Sequence, residues 1–359
     1  MRLGLFLNAP GEWHDSIRLE TILAEAHRAD ECGFEVLMAP QHFGDRQQRL
    51  LQPLPLLGRL AAETKSARLG TGILLASLLN PFEIAESLAT LDVLSGGRAV
   101  LGVGAGHQAQ ELSAFGVEWG DRGRRLDDNI RAVRALWSRT EPHAGCGDDR
   151  RSGVQPIQDR GIPIWVAGTS NTGVQRAAQL GDAWYIGPGA GITGIDEQLK
   201  LYLAERARVG LAAPTVFPIR RDLYLTDPSD TRANWDSRFA QAMRHRYQAQ
   251  STSRYDEDLP STERSRRASV ESGDRAWRAA VGTEVLFGNA DECLEQLEEL
   301  SQHLPHPSLV VLRLAWPEST PAQMLEQLEM VSSWLDKGRG QVSESGMSSN
   351  EANEGKVTP

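Results

Sequence analysis

Residues 64–116 read TKSARLGTGILLASLLNPFEIAESLATLDVLSGGRAVLGVGAGHQAQELSAFG. Two short apolar segments in this stretch, RLGTGIL and RAVLGVGAG, are typical of buried strands. Between them, Pro81 begins a predicted helix that runs to Leu94, with apolar residues three or four positions apart. A strand, a helix and a second strand within about forty residues predict a parallel crossover unit.

The rest of the chain continues this alternation of strands and helices. Short apolar runs bounded by glycine, proline or polar residues predict six further strands. They lie at residues 3–7, 34–39, 162–167, 183–186, 218–225 and 309–314. Eight strands alternating with helices predict one α/β domain over residues 1–337, a TIM-type (β/α)8 barrel.

Two segments depart from the alternation. Residues 227–288, between the seventh and eighth predicted strands, form a long, polar insertion rich in arginine, and its first part has helical spacing. Connections of this length are usually lids or disordered, and we expect a mobile lid over the strand ends. Residues 338–359 lack apolar periodicity and are predicted to be a disordered tail.

Acidic residues outnumber basic ones, 48 against 38, which gives a formal charge of −10. Nucleic acids and anionic membranes select basic surfaces, so neither is expected as a partner. The three cysteines, Cys32, Cys146 and Cys293, are far apart and form no CxxC motif. Disulfides and a metal site are therefore not expected, and this cysteine usage is typical of a reducing cytoplasm. No apolar run approaches the roughly 18 residues that a membrane helix needs.

In a parallel barrel the ligand lies at the carboxyl ends of the strands. Gly102, Gly104 and Gly106 end the fourth strand without the spacing of a dinucleotide-binding fingerprint. These glycines either allow close strand packing or leave room for a flat ring. The GTSNTG loop at residues 168–173 begins a helix, so its polar residues either cap that helix or bind an anion.

Several side chains in the strand-end loops are candidates for contact with a ligand. His42 follows the second strand, and imidazole suits proton exchange near neutral pH. His107 follows the glycines of the fourth strand and is the second candidate for this role. Glu12, Trp13 and His14 lie in the first loop and are candidates for substrate contact.

Five stretches, in this order, resemble the bacterial luciferase-like flavin monooxygenases: TKSARLGTGILL, NPFEIAESLATLDVLSGGRAVLGVGAG, AFGV, RGRRLDDNIRAVRALW and PIWVAGTSNTGVQRAAQLGDAWYIGPG. The resemblance covers residues 1–225 well and residues 285–337 more loosely. It implies a TIM-type barrel that binds reduced flavin mononucleotide (FMN) non-covalently or, in one branch of the family, a deazaflavin.

The resemblance also implies roles for individual residues. A bulge of the third strand, with a non-proline cis peptide between Gly72 and Ile73, supports the flavin ring, and Gly104 and Gly106 leave room for it. The cofactor phosphate is held by the loop after the fifth strand and by an arginine. In this chain the loop residues that correspond are Thr169, Ser170 and Asn171. The arginine that corresponds is Arg124, and its neighbours Arg122 and Arg125 are the alternatives.

Two departures from the luciferases stand out. Luciferases have two adjacent histidines after the second strand, the first of them catalytic, whereas this chain has Gln41 followed by His42. Gly104 stands where the reactive cysteine of the luciferases would be. Luciferase activity itself is therefore not expected, and His42 is the group expected to handle protons.

We therefore expect a flavin-dependent monooxygenase that uses reduced FMN and O2 on a small organic substrate. Because the chain has no NAD fingerprint, a separate flavin reductase is expected to supply the reduced flavin. A deazaflavin-dependent oxidoreductase that moves hydride without oxygen is the first alternative. A flavin-binding protein without turnover and an unrelated barrel enzyme that binds a phosphorylated substrate at residues 168–173 are the others. A homodimer is compatible with the sequence.

Overall fold

The computed structural model describes residues 2–8, 15–44, 50–138, 152–188, 192–226, 285–305, 307–314 and 319–347. Nine strands lie in these ranges: β1 (Leu3–Phe6), β2 (Val36–Ala39), β3 (Arg68–Thr71), β4 (Ala99–Val103), β5 (Ile164–Ala167), β6 (Ala183–Tyr185), β7 (Phe217–Leu225), β8 (Val285–Gly288) and β9 (Ser308–Arg313). The described α-helices are α1 (Asp15–Cys32), α2 (Pro53–Glu63), α3 (Pro81–Leu94), α4 (Ala109–Ala114), α5 (Arg122–Trp137), α6 (Asn171–Leu180), α7 (Ile192–Arg208), α8 (Ala290–His303) and α9 (Pro321–Met347).

The strands form one parallel sheet in the order β6-β5-β4-β3-β2-β1-β9-β7-β8. The sheet closes on itself because Ile186, directly after β6, bridges to Ile219 of β7. At this seam the amide of Ile186 donates to the carbonyl of Pro218, and the amide of Arg220 donates to the carbonyl of Ile186, both at 2.9 Å. Eight strands, β1 to β7 and β9, thus make the TIM-type barrel that the alternation predicts.

The crossover from β3 through α3 to β4 follows the signals in the sequence. The Asn80 side chain accepts a hydrogen bond from the Phe82 amide at 2.9 Å, and Pro81 occupies the first turn of α3. Gly96 ends the helix with a φ of +67°, a conformation that glycine adopts without strain. β3 and β4 then pair in parallel, as predicted.

The core has two layers, because both faces of a parallel barrel are covered. Alternate strand residues point outward and pack against the helices, among them Leu5, Leu37 and Leu101. The remaining residues point into the barrel, where Phe6 and Met38 belong to an interior layer. The other buried members of the interior layer are Val36, Val100, Trp165, Ala183, Tyr185, Leu309 and Val311.

Two details differ from the sequence-based expectation. The end of the segment assigned to the insertion forms β8, which pairs with residues 222–225 of β7. A four-residue strand gives too little periodicity to stand out from a polar surrounding. Helix α9 runs to Met347, beyond the expected domain end at residue 337, because a helix nucleated by its packed part can extend through polar sequence. The expected lid, apart from β8, and residues 348–359 lie outside the described residues.

Among the described helices, none combines the length and the apolar composition that crossing a lipid bilayer would require.

Candidate active site

The carboxyl ends of the strands bring together the loops that the sequence analysis singles out. Residues 40–44 follow β2, residues 72–75 follow β3, residues 104–108 follow β4 and residues 168–170 follow β5. In a barrel these loops surround one mouth, where the ligands of this architecture bind.

The segment after β3 has the backbone that the resemblance implies, since the peptide between Gly72 and Ile73 is cis. Two backbone hydrogen bonds of Leu74 hold this segment against the end of β4. The Leu74 amide donates to the carbonyl of Gly102 at 2.8 Å, and the Gly104 amide donates to the carbonyl of Leu74 at 3.1 Å. The bulge therefore has a defined position at the barrel mouth.

Gly102 of β4 and Gly104 directly after it allow the close packing of this bulge. A β-carbon added at Gly104 would lie 2.1 Å from Cδ1 of Ile73, and one added at Gly102 would lie 2.0 Å from the carbonyl oxygen of Thr71. The space beside Gly104 is thus filled by Ile73. Gly106 has a different role, because its φ of +77° favours glycine whatever the space around it.

Gln41, which stands at the position of the luciferases' first histidine, has a structural role here. Its side chain is buried, and its carbonyl oxygen accepts a hydrogen bond from the Leu75 amide at 2.9 Å. Its amide nitrogen donates to Gln52 at 3.0 Å, and Gln52 in turn donates to the carbonyl of His42 at 3.1 Å. Gln41 therefore ties the loop after β2 to the bulge after β3.

His42 lies beside a buried carboxylate that sequence reasoning missed. Its Nδ1 lies 3.1 Å from both carboxylate oxygens of Glu111, the third residue of α4. Glu111 also accepts a hydrogen bond from the Phe43 amide at 2.6 Å. The Glu111 side chain is 3% exposed and that of His42 is 16% exposed, so solvent reaches only the imidazole.

The ring of His107 completes this group. Its centroid lies 5.7 Å from that of His42, edge to face. The structure thus brings the two predicted histidines together. In sequence, Glu111 resembles an ordinary acidic residue in the first turn of a helix, and 68 positions separate it from the Phe43 amide that it binds.

The loop after β5 leads directly into α6. The Ser170 hydroxyl accepts a hydrogen bond from the Gly173 amide at 3.2 Å, which caps the helix. The backbones of Gly168 and Gly173 touch, since a β-carbon at Gly168 would lie 2.6 Å from the carbonyl carbon of Gly173. Thr169, Ser170 and Asn171 are exposed at this helix start, where backbone N–H groups favour an anion.

Arg124 extends into solvent from the first turn of α5. Its side chain is 65% exposed, and its guanidinium lies 3.1 Å from Asp121 and 3.6 Å from Asp128. Of its neighbours, Arg122 stacks on Trp119 at 3.7 Å. Arg125 donates to the carbonyl of Ser77 at 2.8 Å.

A further arginine lies where α5 and α6 meet. Arg176 of α6 is paired with Asp127 of α5, and its side chain is only 14% exposed. It also approaches Gly123, where an added β-carbon would lie 2.6 Å from a guanidinium nitrogen.

Glu12, Trp13 and His14, the expected substrate contacts, lie outside the described residues.

Residues 1–306 match the family whose description is luciferase-like monooxygenase. The chain is 30% identical over 160 residues to 4-hydroxyprotoasukamycin monooxygenase of Streptomyces nodosus subsp. asukaensis, an alignment that covers 43% of each protein. It is 29% identical over 211 residues to the F420-dependent glucose-6-phosphate dehydrogenase of Amycolatopsis mediterranei, covering 55% of this chain and 62% of the relative. The chain thus spans about half the length of these two relatives.

Among solved structures, monooxygenase RslO1 from Streptomyces bottropensis has the same fold, with a TM-score of 0.76. The superposition covers 93% of this chain and 98% of that one, at 20% sequence identity.

Proposed function

Because this chain belongs to the luciferase-like monooxygenase family, we propose that it is a flavin-dependent monooxygenase that uses reduced FMN and O2 on a small organic substrate. The observation that supports the proposal best is the carboxylate-held His42 at the barrel mouth. It lies in the loop that Gln41 ties to the bulge after β3. A proton-handling group thus lies beside the surface on which a flat ring would rest.

The chain's own residues fit such a cofactor. Ile73 would offer an apolar face for the ring, and the lack of a side chain at Gly104 leaves room for Cδ1 of Ile73. The exposed start of α6 would receive the phosphate, with Thr169, Ser170 and Asn171 around it. An arginine from α5, Arg124 in the proposal, would add charge after leaving its aspartate partners.

When bound, reduced flavin would supply the electron pair that reacts with dioxygen, and the protein supplies position and proton transfer. With Nδ1 of His42 facing the Glu111 carboxylate, an acceptor, Nε2 is the nitrogen that would exchange a proton with the reactants. The ring of His107 lies edge to face with this imidazole. A separate reductase would supply the reduced flavin.

Hydride transfer to a deazaflavin is the second candidate, and the same His42–Glu111 pair favours it. A histidine held by a carboxylate suits a base that removes the proton of an alcohol while hydride leaves its carbon. A relative that is an F420-dependent dehydrogenase supports this alternative.

Anaerobic titration of the protein with reduced FMN and with a reduced deazaflavin separates the two cofactors. We expect reduced FMN to bind at about micromolar Kd or tighter, which corresponds to roughly −8 kcal/mol. Oxygen consumption above that of free reduced flavin, dependent on substrate, then separates an enzyme from a flavin-binding protein.

Binding of the deazaflavin alone would move the function to hydride transfer. Binding of neither cofactor, with binding of phosphorylated sugars, would favour a family member that uses the start of α6 for a phosphorylated substrate. Reduced riboflavin is the matched control, because it has the same ring and no phosphate.

A further inference from the structure

A second group of polar side chains lies inside the barrel. Tyr185 of β6, Arg220 and Asp222 of β7, and Arg313 of β9 occupy inward-pointing strand positions. The guanidinium carbon of Arg220 lies 4.6 Å from the ring centroid of Phe6, a member of the interior layer. We call these four residues the inner basic cluster.

Two guanidinium groups of the inner basic cluster share one carboxylate. Arg313 donates to Asp222 at 2.9 Å, and Nε of Arg220 lies 3.6 Å from the other carboxylate oxygen, too far for a hydrogen bond. Within the cluster the formal charge is therefore +1. The Asp222 side chain is fully buried, whereas those of Arg220 and Arg313 are 19% and 15% exposed and reach solvent.

Two donors of the cluster are buried with no hydrogen-bond partner. They are the Tyr185 hydroxyl and Nε of Arg220. Burial raises the pKa of Tyr185, so the phenol keeps its proton and remains a donor at neutral pH. Buried donors normally have partners, and leaving one without costs about 1–3 kcal/mol. The Arg220 Nε–H, which lies too far from Asp222 for a hydrogen bond, and the Tyr185 phenol are two donors that an oxyanion would satisfy.

The position of the cluster relates it to the proposed cofactor site. In the ring of eight strands, β7 lies across the barrel from β3, and β9 lies across from β4. A flat ring resting on the bulge after β3 and the end of β4 would therefore turn its other face toward the inner basic cluster. A substrate that reacts at that face would lie between the two.

We propose that the inner basic cluster is an oxyanion subsite, at which Arg220, Arg313 and Tyr185 bind a carboxylate or related oxyanion of the substrate. The proposal rests on the proposed function for its placement opposite the cofactor, and it narrows the substrate class to small organic anions. Asp222 binds Arg313 and lies beside Arg220, so it positions the two guanidiniums.

Equilibrium binding of small probes without flavin tests the subsite independently of turnover. The probes are benzoate and acetate, each compared with its neutral amide, benzamide or acetamide, by ligand-observed NMR and calorimetry. Because charge-assisted hydrogen bonds favour the carboxylate, we expect each acid to bind at least about tenfold more tightly than its amide.

Variants identify the residues that bind the probe. Arg220→Gln should weaken benzoate binding at least about tenfold, and Tyr185→Phe about threefold or more. Arg134→Gln is the matched control, because Arg134 pairs with Asp182 and is 42% exposed on the outer side of the barrel. Circular dichroism and thermal unfolding identify variants that fail to fold.

The outcomes separate this proposal from the proposed function. Equal binding of benzoate and benzamide, absence of benzoate binding, or an unchanged affinity in folded Arg220→Gln would overturn the subsite. So would a variant that loses affinity for reduced FMN and keeps affinity for benzoate, since the cluster would then serve the cofactor. Selective benzoate binding in a protein that binds no reduced FMN would uphold the subsite and reject the monooxygenase.

Discussion

In His42 one ring nitrogen faces a carboxylate, and this determines what the other nitrogen can do. A carboxylate accepts hydrogen bonds, so the contact with Glu111 favours the tautomer with the proton on Nδ1, which leaves Nε2 to exchange protons. The tautomer follows from the hydrogen-bond network around the ring. The same carboxylate fixes the Phe43 amide, so the ring and its loop are held together.

We expect His42→Ala to lower turnover by at least about tenfold while the affinity for reduced flavin changes little. Steady-state oxygen consumption and anaerobic titration measure the two quantities. His27→Ala is the matched control, because His27 is an exposed histidine of α1 that pairs with Glu31. Turnover within about twofold of the parent would leave His42 as a packing residue and make His107 the next candidate.

A second prediction concerns Gly104. A β-carbon there would lie 2.1 Å from Cδ1 of Ile73, so Gly104→Ala should displace that side chain and destabilise the fold by about 1–3 kcal/mol. Adding Ile73→Ala should recover part of this loss, because it removes the clashing atom. Urea denaturation measures the free energies of unfolding.

Gly120→Ala is the control for this cycle, because an added β-carbon there meets nothing within 4 Å. Strictly additive effects of Gly104→Ala and Ile73→Ala would show that the two residues do not interact.

At the scale of single elements, the sequence predicts eight barrel strands and the helix from Pro81 to Leu94, because apolar periodicity and caps are local signals. It predicts that His42 lies at the mouth for the same reason, since strand ends are local. It does not predict Glu111 beside His42, or Arg313 beside Asp222, which is 91 residues away. Such pairs depend on which strand ends meet in the closed barrel, and periodicity contains no information on that.

The prediction at the scale of single elements concerns the start of helix α6. The variant Ser170→Ala combined with Arg124→Ala should weaken binding of reduced FMN, by about 1.5–3 kcal/mol for each charge-assisted bond that is lost. Reduced riboflavin should bind both proteins alike, because it has no phosphate.

Arg131→Ala is the matched control for this pair, since Arg131 is an exposed arginine of the same helix as Arg124. Equal losses for FMN and riboflavin would mean that the variant disturbs the ring site and that the start of α6 does not hold the phosphate.

At the scale of the whole molecule, a buried acid on α1 couples stability to pH. Burial raises the pKa of Glu25 from 4.5 to about 8. The folded protein therefore keeps this proton up to about pH 8, whereas the unfolded chain releases it near pH 4.5. The contribution of Glu25 to the free energy of unfolding is thus fully present below pH 4.5 and is lost as the pH rises to about 8.

Glu25→Gln should flatten this dependence and make the protein more stable than the parent near pH 8, by an amount set by about 1.4 kcal/mol per pKa unit. Urea denaturation at several pH values measures the slope. Glu31→Gln, on the same helix and half exposed, should leave the slope as it is. Parallel curves for Glu25→Gln and the parent would refute the assignment.

The seam between β6 and β7 is where the barrel is expected to open locally. The described residues show two backbone hydrogen bonds across it, both made by Ile186, whereas β7 and β9 are in register over six residue pairs. Local opening follows the weakest contacts, so the amide protons of Ile186 and Arg220 should exchange with deuterium before those of β1 to β4. Arg220 lies on this seam, so each opening would loosen the backbone that carries one guanidinium of the inner basic cluster.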